Sequence, residues 1–112
     1  MKFTVEHLDN LVIFTLKNQR ISSDLSSDLK TQLLILSQPD IRALVLDLSA
    51  VEYVDSSALG AFLLSHRQLK EYDIPVIFVG LQEVVLKLLQ ISHIDHLFKF
   101  CDNIEDVINH FK

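Results

Sequence analysis

The run Ile41 to Leu48 constrains the fold of this chain most. Its centre, Ala43-Leu44-Val45-Leu46, offers no polar face and is bounded by Pro39 upstream. A strand of that composition is stable only when covered on both faces, as the central strands of parallel sheets are. Pro75-Val76-Ile77-Phe78-Val79, closed by Gly80, reads as a second strand of the same kind.

The segments around these runs supply the covering layers. Phe3 to His7 and Leu11 to Leu16 are strand-like, and Asp9-Asn10 between them suits the positive φ of a tight turn, so the chain is expected to open with a hairpin. Ser22-Ser23-Asp24 offers side-chain caps to a helix with Leu25, Leu29, Leu33 and Leu36 on one face. A second helix carries Leu59, Phe62, Leu63, His66 and Leu69 inward and Arg67, Gln68, Lys70 and Glu71 outward. Leu81, Val84, Val85, Leu88 and Leu89 fit the core-facing template of a third. Phe98-Lys99-Phe100 reads as a short strand. A last helix is expected near Asp102, with Glu105 in the capping-box position and Ile104, Val107, Ile108 and Phe111 on its stripe. The order β-β-α-β-α-β-α-β-α predicts an α/β fold with a mainly parallel sheet after an opening hairpin.

Composition narrows the function. At 112 residues and 49% apolar content, residues 1–112 are expected to form one domain around one core. A formal charge of -5 with no basic run disfavours nucleic acid and anionic membrane as partners. Cys101 is the only cysteine, which suits a reducing compartment. Neither a signal-peptide h-region nor an apolar run approaching roughly 18 residues is present, so a cytoplasmic location is expected.

The chemistry concentrates in Asp47-Leu48-Ser49-Ala50-Val51-Glu52-Tyr53-Val54-Asp55-Ser56-Ser57-Ala58-Leu59-Gly60. With Asp55 as N-cap, Ser56 falls at N1, among backbone N–H groups that have no intrahelical partner. Val54 and Leu59 then hold the two positions of a hydrophobic staple, so the helix start does not require the Ser56 hydroxyl. Gly60 lies early in this helix, where glycine costs about 1 kcal/mol relative to alanine. Either a partner backbone approaches there or a loop of the chain itself packs close.

The pattern D-x-S-x-V-x-x-x-D-S-S-A-L-G resembles the signature of the STAS family, shared by sulfate transporters and bacterial anti-sigma-factor antagonists, and the element order matches that fold along essentially the whole chain. In the antagonists the serine directly after this aspartate is phosphorylated by the cognate anti-sigma kinase, so the resemblance implies phosphorylation at Ser56. It also implies a partner-binding surface of Asp24, Asp55, Ser56, Ser57, Ala58 and Gly60, an anti-sigma factor serine kinase and a PP2C-like phosphatase as partners, and no cofactor of its own. Many such antagonists carry Gly-x-Leu-Asp before the first helix. Here Ser22 or Ser23 stands where that aspartate is expected and Asp24 substitutes approximately, while Ala58 replaces a common glycine.

Other chemistries fit less well. His93, Asp95 and His96 have a weak metal-ligand spacing and read as a polar helix end; His66 reads as a core or interface residue. No G-x-S-x-G elbow surrounds Ser56 and no glycine-rich phosphate loop exists, so no catalysis is expected. A phosphoaspartate receiver would show an acidic pair after its first strand and strict β-α alternation, neither of which is seen. The function that the resemblance implies is an anti-sigma-factor antagonist, a partner-switching regulator controlled by serine phosphorylation; a non-phosphorylated STAS module that binds a small ligand, or only scaffolds, is the alternative.

Overall fold

The computed structural model describes residues 1–112. Five strands, β1 (Phe3–Leu8), β2 (Leu11–Leu16), β4 (Ala43–Asp47), β6 (Val76–Val79) and β7 (Lys99–Cys101), form one sheet in the order β1-β2-β4-β6-β7. β1 and β2 are antiparallel, and every other pairing in the sheet is parallel. Asp9 and Asn10, with φ of 49° and 66°, make the two-residue turn of the opening hairpin.

The period-2 alternation of the central strands divides the core. Val12, Phe14 and Leu16 of β2, Leu44 and Leu46 of β4, and Val76 and Phe78 of β6 face one layer. Against it pack α1 (Ser23–Leu36), α2 (Ser56–Lys70) and α3 (Glu83–Ile91) through Leu29, Leu33, Phe62, Leu69, Val85 and Leu89. Leu11, Ile13, Ala43, Val45, Ile77 and Val79 face the other way, towards Val107 of α4 (Ile104–His110). A mainly parallel sheet therefore keeps both faces dry, which the fully apolar β4 and β6 require. Phe62 and Phe98 each meet the Phe78 ring edge to face, at 5.1 and 4.9 Å between centroids. Arg42 holds the far layer in place by donating to the Phe111 carbonyl at 2.7 Å while lying over its ring.

Several sequence expectations change here. The α4 cap is Asn103, which accepts from the Asp106 N–H at 2.9 Å, so Glu105 is not at the capping-box position. Ser22 is the α1 N-cap, but its hydroxyl donates to the Asp24 carboxylate at 2.6 Å and caps no backbone N–H. Val84 is 60% exposed instead of core-facing, because only Val85 and Leu89 of the nine-residue α3 reach the sheet fully. The α2 stripe runs through Ala58, Leu59, Ala61, Phe62, Ser65 and Leu69, with Leu63 and His66 half-buried at its margin.

Two further strands are too short to show periodicity. β3 (Arg20–Ile21) and β5 (Tyr53–Val54) pair in parallel, Arg20 opposite Tyr53 and Ile21 opposite Val54. Each leads directly into a helix, so the pair sets the starts of α1 and α2 side by side. No helix of the protein is long and apolar enough to cross a membrane.

Candidate functional site

The site is built at the start of α2. The Asp55 N–H donates to the Ile21 carbonyl at 2.8 Å, which ties the cap residue to β3. The Asp55 carboxylate then accepts from the Ser57 N–H at 3.0 Å, and the Asp55 carbonyl accepts from Ala58 at 2.9 Å to begin the helix. Val54 and Leu59 are both buried in the core, as the staple requires. The cap holds the Asp55 carboxyl below the ordinary carboxylate range, chiefly through the Ser57 N–H, then the Ser57 hydroxyl, with a smaller contribution from the Ser56 hydroxyl acting against desolvation. Asp55 is therefore a carboxylate at neutral pH. Ser56 follows at N1, exposed, on a turn whose backbone is pinned on both sides.

The loops behind this turn are fixed by a second set of bonds. Asp47 accepts from both the N–H and the hydroxyl of Ser49, at 3.0 and 2.7 Å, and the Gln82 side-chain amide donates to the Ser49 carbonyl at 3.0 Å. Gly80 lies against Ser49 with φ of +66°; a Cβ there would sit 2.8 Å from the Ser49 Cβ, so glycine is required for both backbone and space. The segment from Leu48 to β5 is thus anchored on the loop after β6.

Two grooves flank the α2 start. On the α1 side, a groove of about 470 Å³ contains Ser26, Lys30, Ser57, Gly60 and Arg67 among its lining residues. Gly60 is exposed and a Cβ on it would meet nothing within 4 Å, so no loop of this chain explains the glycine. On the α3 side, a groove of about 430 Å³ runs between Tyr53, Val54, Asp55 and Ser56 on one wall and Val84, Lys87, Leu88 and Ile91 on the other. Tyr53 is 37% exposed, with Arg20 lying 4.5 Å above its ring, and Ile91 is 75% exposed. Sequence reasoning missed this second wall. The spacing 84, 87, 88, 91 marks one helix face, but Val84 and Leu88 also fit the core template; Leu88 does pack partly against the core while lining the groove, and of the two only Val84 is left exposed.

Of the residues expected to meet a partner, Asp55, Ser56, Ser57 and Gly60 share the α2 start, and all but the half-buried Asp55 are exposed. Asp24 is exposed in the first turn of the neighbouring α1, where it accepts from Ser22 and makes no hydrogen bond with α2. Ala58 is fully buried under the sheet, which removes it from any contact surface; its small side chain serves the core. His66 packs its ring on Phe98 at 5.7 Å, and burial, followed by the charges of Lys70, Arg67 and His96, lowers its pKa. His93 occupies a left-handed turn at φ 58° and His96 is exposed; no group of three or more His, Cys, Asp or Glu side chains converges to hold a metal.

Comparison with known proteins gives a consistent assignment. The family model of the STAS domain matches residues 2–107. An anti-sigma-factor antagonist (STAS) domain protein from Planctomyces limnophilus superposes with a TM-score of 0.88 at 18% identity, over 98% of this chain and 97% of that one. The anti-sigma factor antagonist SpoIIAA in its unphosphorylated form gives 0.83 at 16% identity, over 98% and 96%. The Bacillus cell-fate determinant SpoIIAA in its phosphorylated form gives 0.76 at 16%, over 99% and 100%. At these identities the likeness to the solved structures is one of fold.

Proposed function

The chain belongs to the STAS domain family, and we propose that it is an anti-sigma-factor antagonist whose partner is switched by phosphorylation of Ser56. One observation carries this reading. Ser56 is an exposed hydroxyl at N1 of a helix whose cap is closed by Asp55 and Ser57, so it is free for modification without loss of the helix start. That SpoIIAA, of the same fold, exists in phosphorylated and unphosphorylated forms supports the same reading.

Unphosphorylated, the protein binds an anti-sigma factor serine kinase through Asp55, Ser56, Ser57 and Gly60, with Asp24 at the margin, and so frees a sigma factor. Phosphorylated, it releases the kinase. A phosphate adds about -1.5 to -2 charges at a helix N-terminus that favours anions by about 0.3 to 1 kcal/mol, and repulsion from the Asp55 carboxylate opposes this. The two effects nearly cancel within the domain, so the fold persists. In an interface, a desolvated dianion without a matched cation costs several kcal/mol, which is enough to break the complex. The kinase supplies ATP, a PP2C-like phosphatase resets Ser56, and this chain acts without catalysis, in the cytoplasm with its partners.

The test is capture of the partner from the native cell, followed by incubation with ATP and each of three variants. Ser56→Ala should bind and resist phosphorylation, Ser57→Ala should still be modified, and Ser56→Asp should fold normally and bind weakly by calorimetry. Phosphate on Ser57 would move the acceptor by one residue. No phosphate on either serine, with Ser56→Asp binding like the wild type, would leave a non-switching module.

A further inference from the structure

The groove between the α2 start and α3 holds a feature that the switch alone does not use. Lys87 and Ser56 both line it, one from α3 and the other from the α2 start, and Lys87 shares its helix face with Val84, Leu88 and Ile91. Its only carboxylate partner is Glu83, one turn earlier, at 3.4 Å, with the two side chains 63% and 79% exposed. A helix-surface pair of that kind is weak and exchanges readily. Arg20 lies over the Tyr53 ring but does not itself line the groove. We propose that Lys87 is the intramolecular counter-ion of a phosphate on Ser56, leaving Glu83 to close an ion pair across the groove.

The proposal rests on the reading of Ser56 as a phosphate acceptor and adds what the phosphate does once attached. A dianion outcompetes the single charge of Glu83 for the Lys87 ammonium. Of the charged residues lining the groove, Asp55 repels the phosphate and Lys87 is the one cation. Drawn towards Ser56, the four-carbon stem of Lys87 lies along the exposed apolar wall formed by Val84 and Ile91. Modification then changes the apolar surface beside the docking turn as well as its charge.

The experiment installs phosphoserine genetically at position 56 of the full chain, so that no kinase is needed, and follows the second ionisation of the phosphate by ³¹P NMR. Lys87→Met should raise that pKa by about half a unit, since a cation at contact distance in a water-like medium favours the dianion by that order. Lys87→Arg should restore it. Lys30→Met, on the groove of the opposite side, should leave it unchanged. Equal values for wild type and Lys87→Met would overturn the assignment, as would an equal shift from Lys30→Met. If Ser56 takes no phosphate from any captured kinase, the switch reading fails while the Lys87 result still stands.

Discussion

Replacing Gly60 with alanine should make this protein more stable and a poorer partner. Gly60 is the fifth residue of the fifteen in α2, outside the left-handed region, and a Cβ at that position meets nothing within 4 Å. There is no steric penalty to subtract, so the full propensity difference applies, about 0.8 to 1 kcal/mol in favour of alanine. For a domain of this length that corresponds to an increase in Tm of about 4 °C. In urea, followed by far-UV circular dichroism, the midpoint should rise by about 0.5 M with an unchanged slope, given a slope of roughly 2 kcal/mol per M. A lower midpoint would refute the reasoning, because it would mean that the glycine answers a requirement of the fold which open space and helical backbone rule out. Partner affinity supplies the second readout: it should fall for Gly60→Ala and further for Gly60→Leu, whose side chain projects from the docking turn. Unchanged affinity for both would remove that face of α2 from the interface.

Gly80→Ala should have the opposite sign, because its φ of +66° and the 2.8 Å approach to the Ser49 Cβ combine backbone strain with overlap; thermal melts should show a loss of about 2 kcal/mol or more. Ser65→Ala should be neutral to stabilising by about 1 kcal/mol, since the Ser65 hydroxyl is buried without a hydrogen-bond partner, and a clear loss on denaturation would reveal a bond that it makes. Asp55→Asn keeps a cap acceptor and removes the charge. Because the folded pKa of Asp55 is depressed, its ionised form stabilises the fold above the unfolded carboxylate pKa, and that advantage disappears as pH falls through the folded value. The gap between wild type and Asp55→Asn should therefore hold from pH 7 down to the unfolded carboxylate range near 3.8 and close as the pH is lowered further towards about 2; a gap that stays constant below that range would assign the effect to geometry instead of charge.

Strand and helix order, the burial of β4 and β6 on both faces, and the cap at Asp55 were all legible in the chain itself, because each depends on local pattern: an unbroken apolar run, recurrence near 3.6, and a capping residue ahead of an apolar turn. The tertiary structure alone decided the rest. β3 and β5 are two residues each, too short for any periodicity, and exist because Gln19 and Ile21 offer carbonyls to Glu52, Tyr53 and Asp55 from a distant part of the chain. Ala58 and Val84 exchanged their expected roles for the same reason: a helical pattern shows which residues share a face, whereas how far the sheet extends beneath that face decides which of them lose contact with water. Gly60 is the sharpest case. Its sequence position allowed either the approach of a partner backbone or close packing by a loop of the chain itself, and only the packing of α1, α2 and the sheet showed that no part of the chain fills the space beside it.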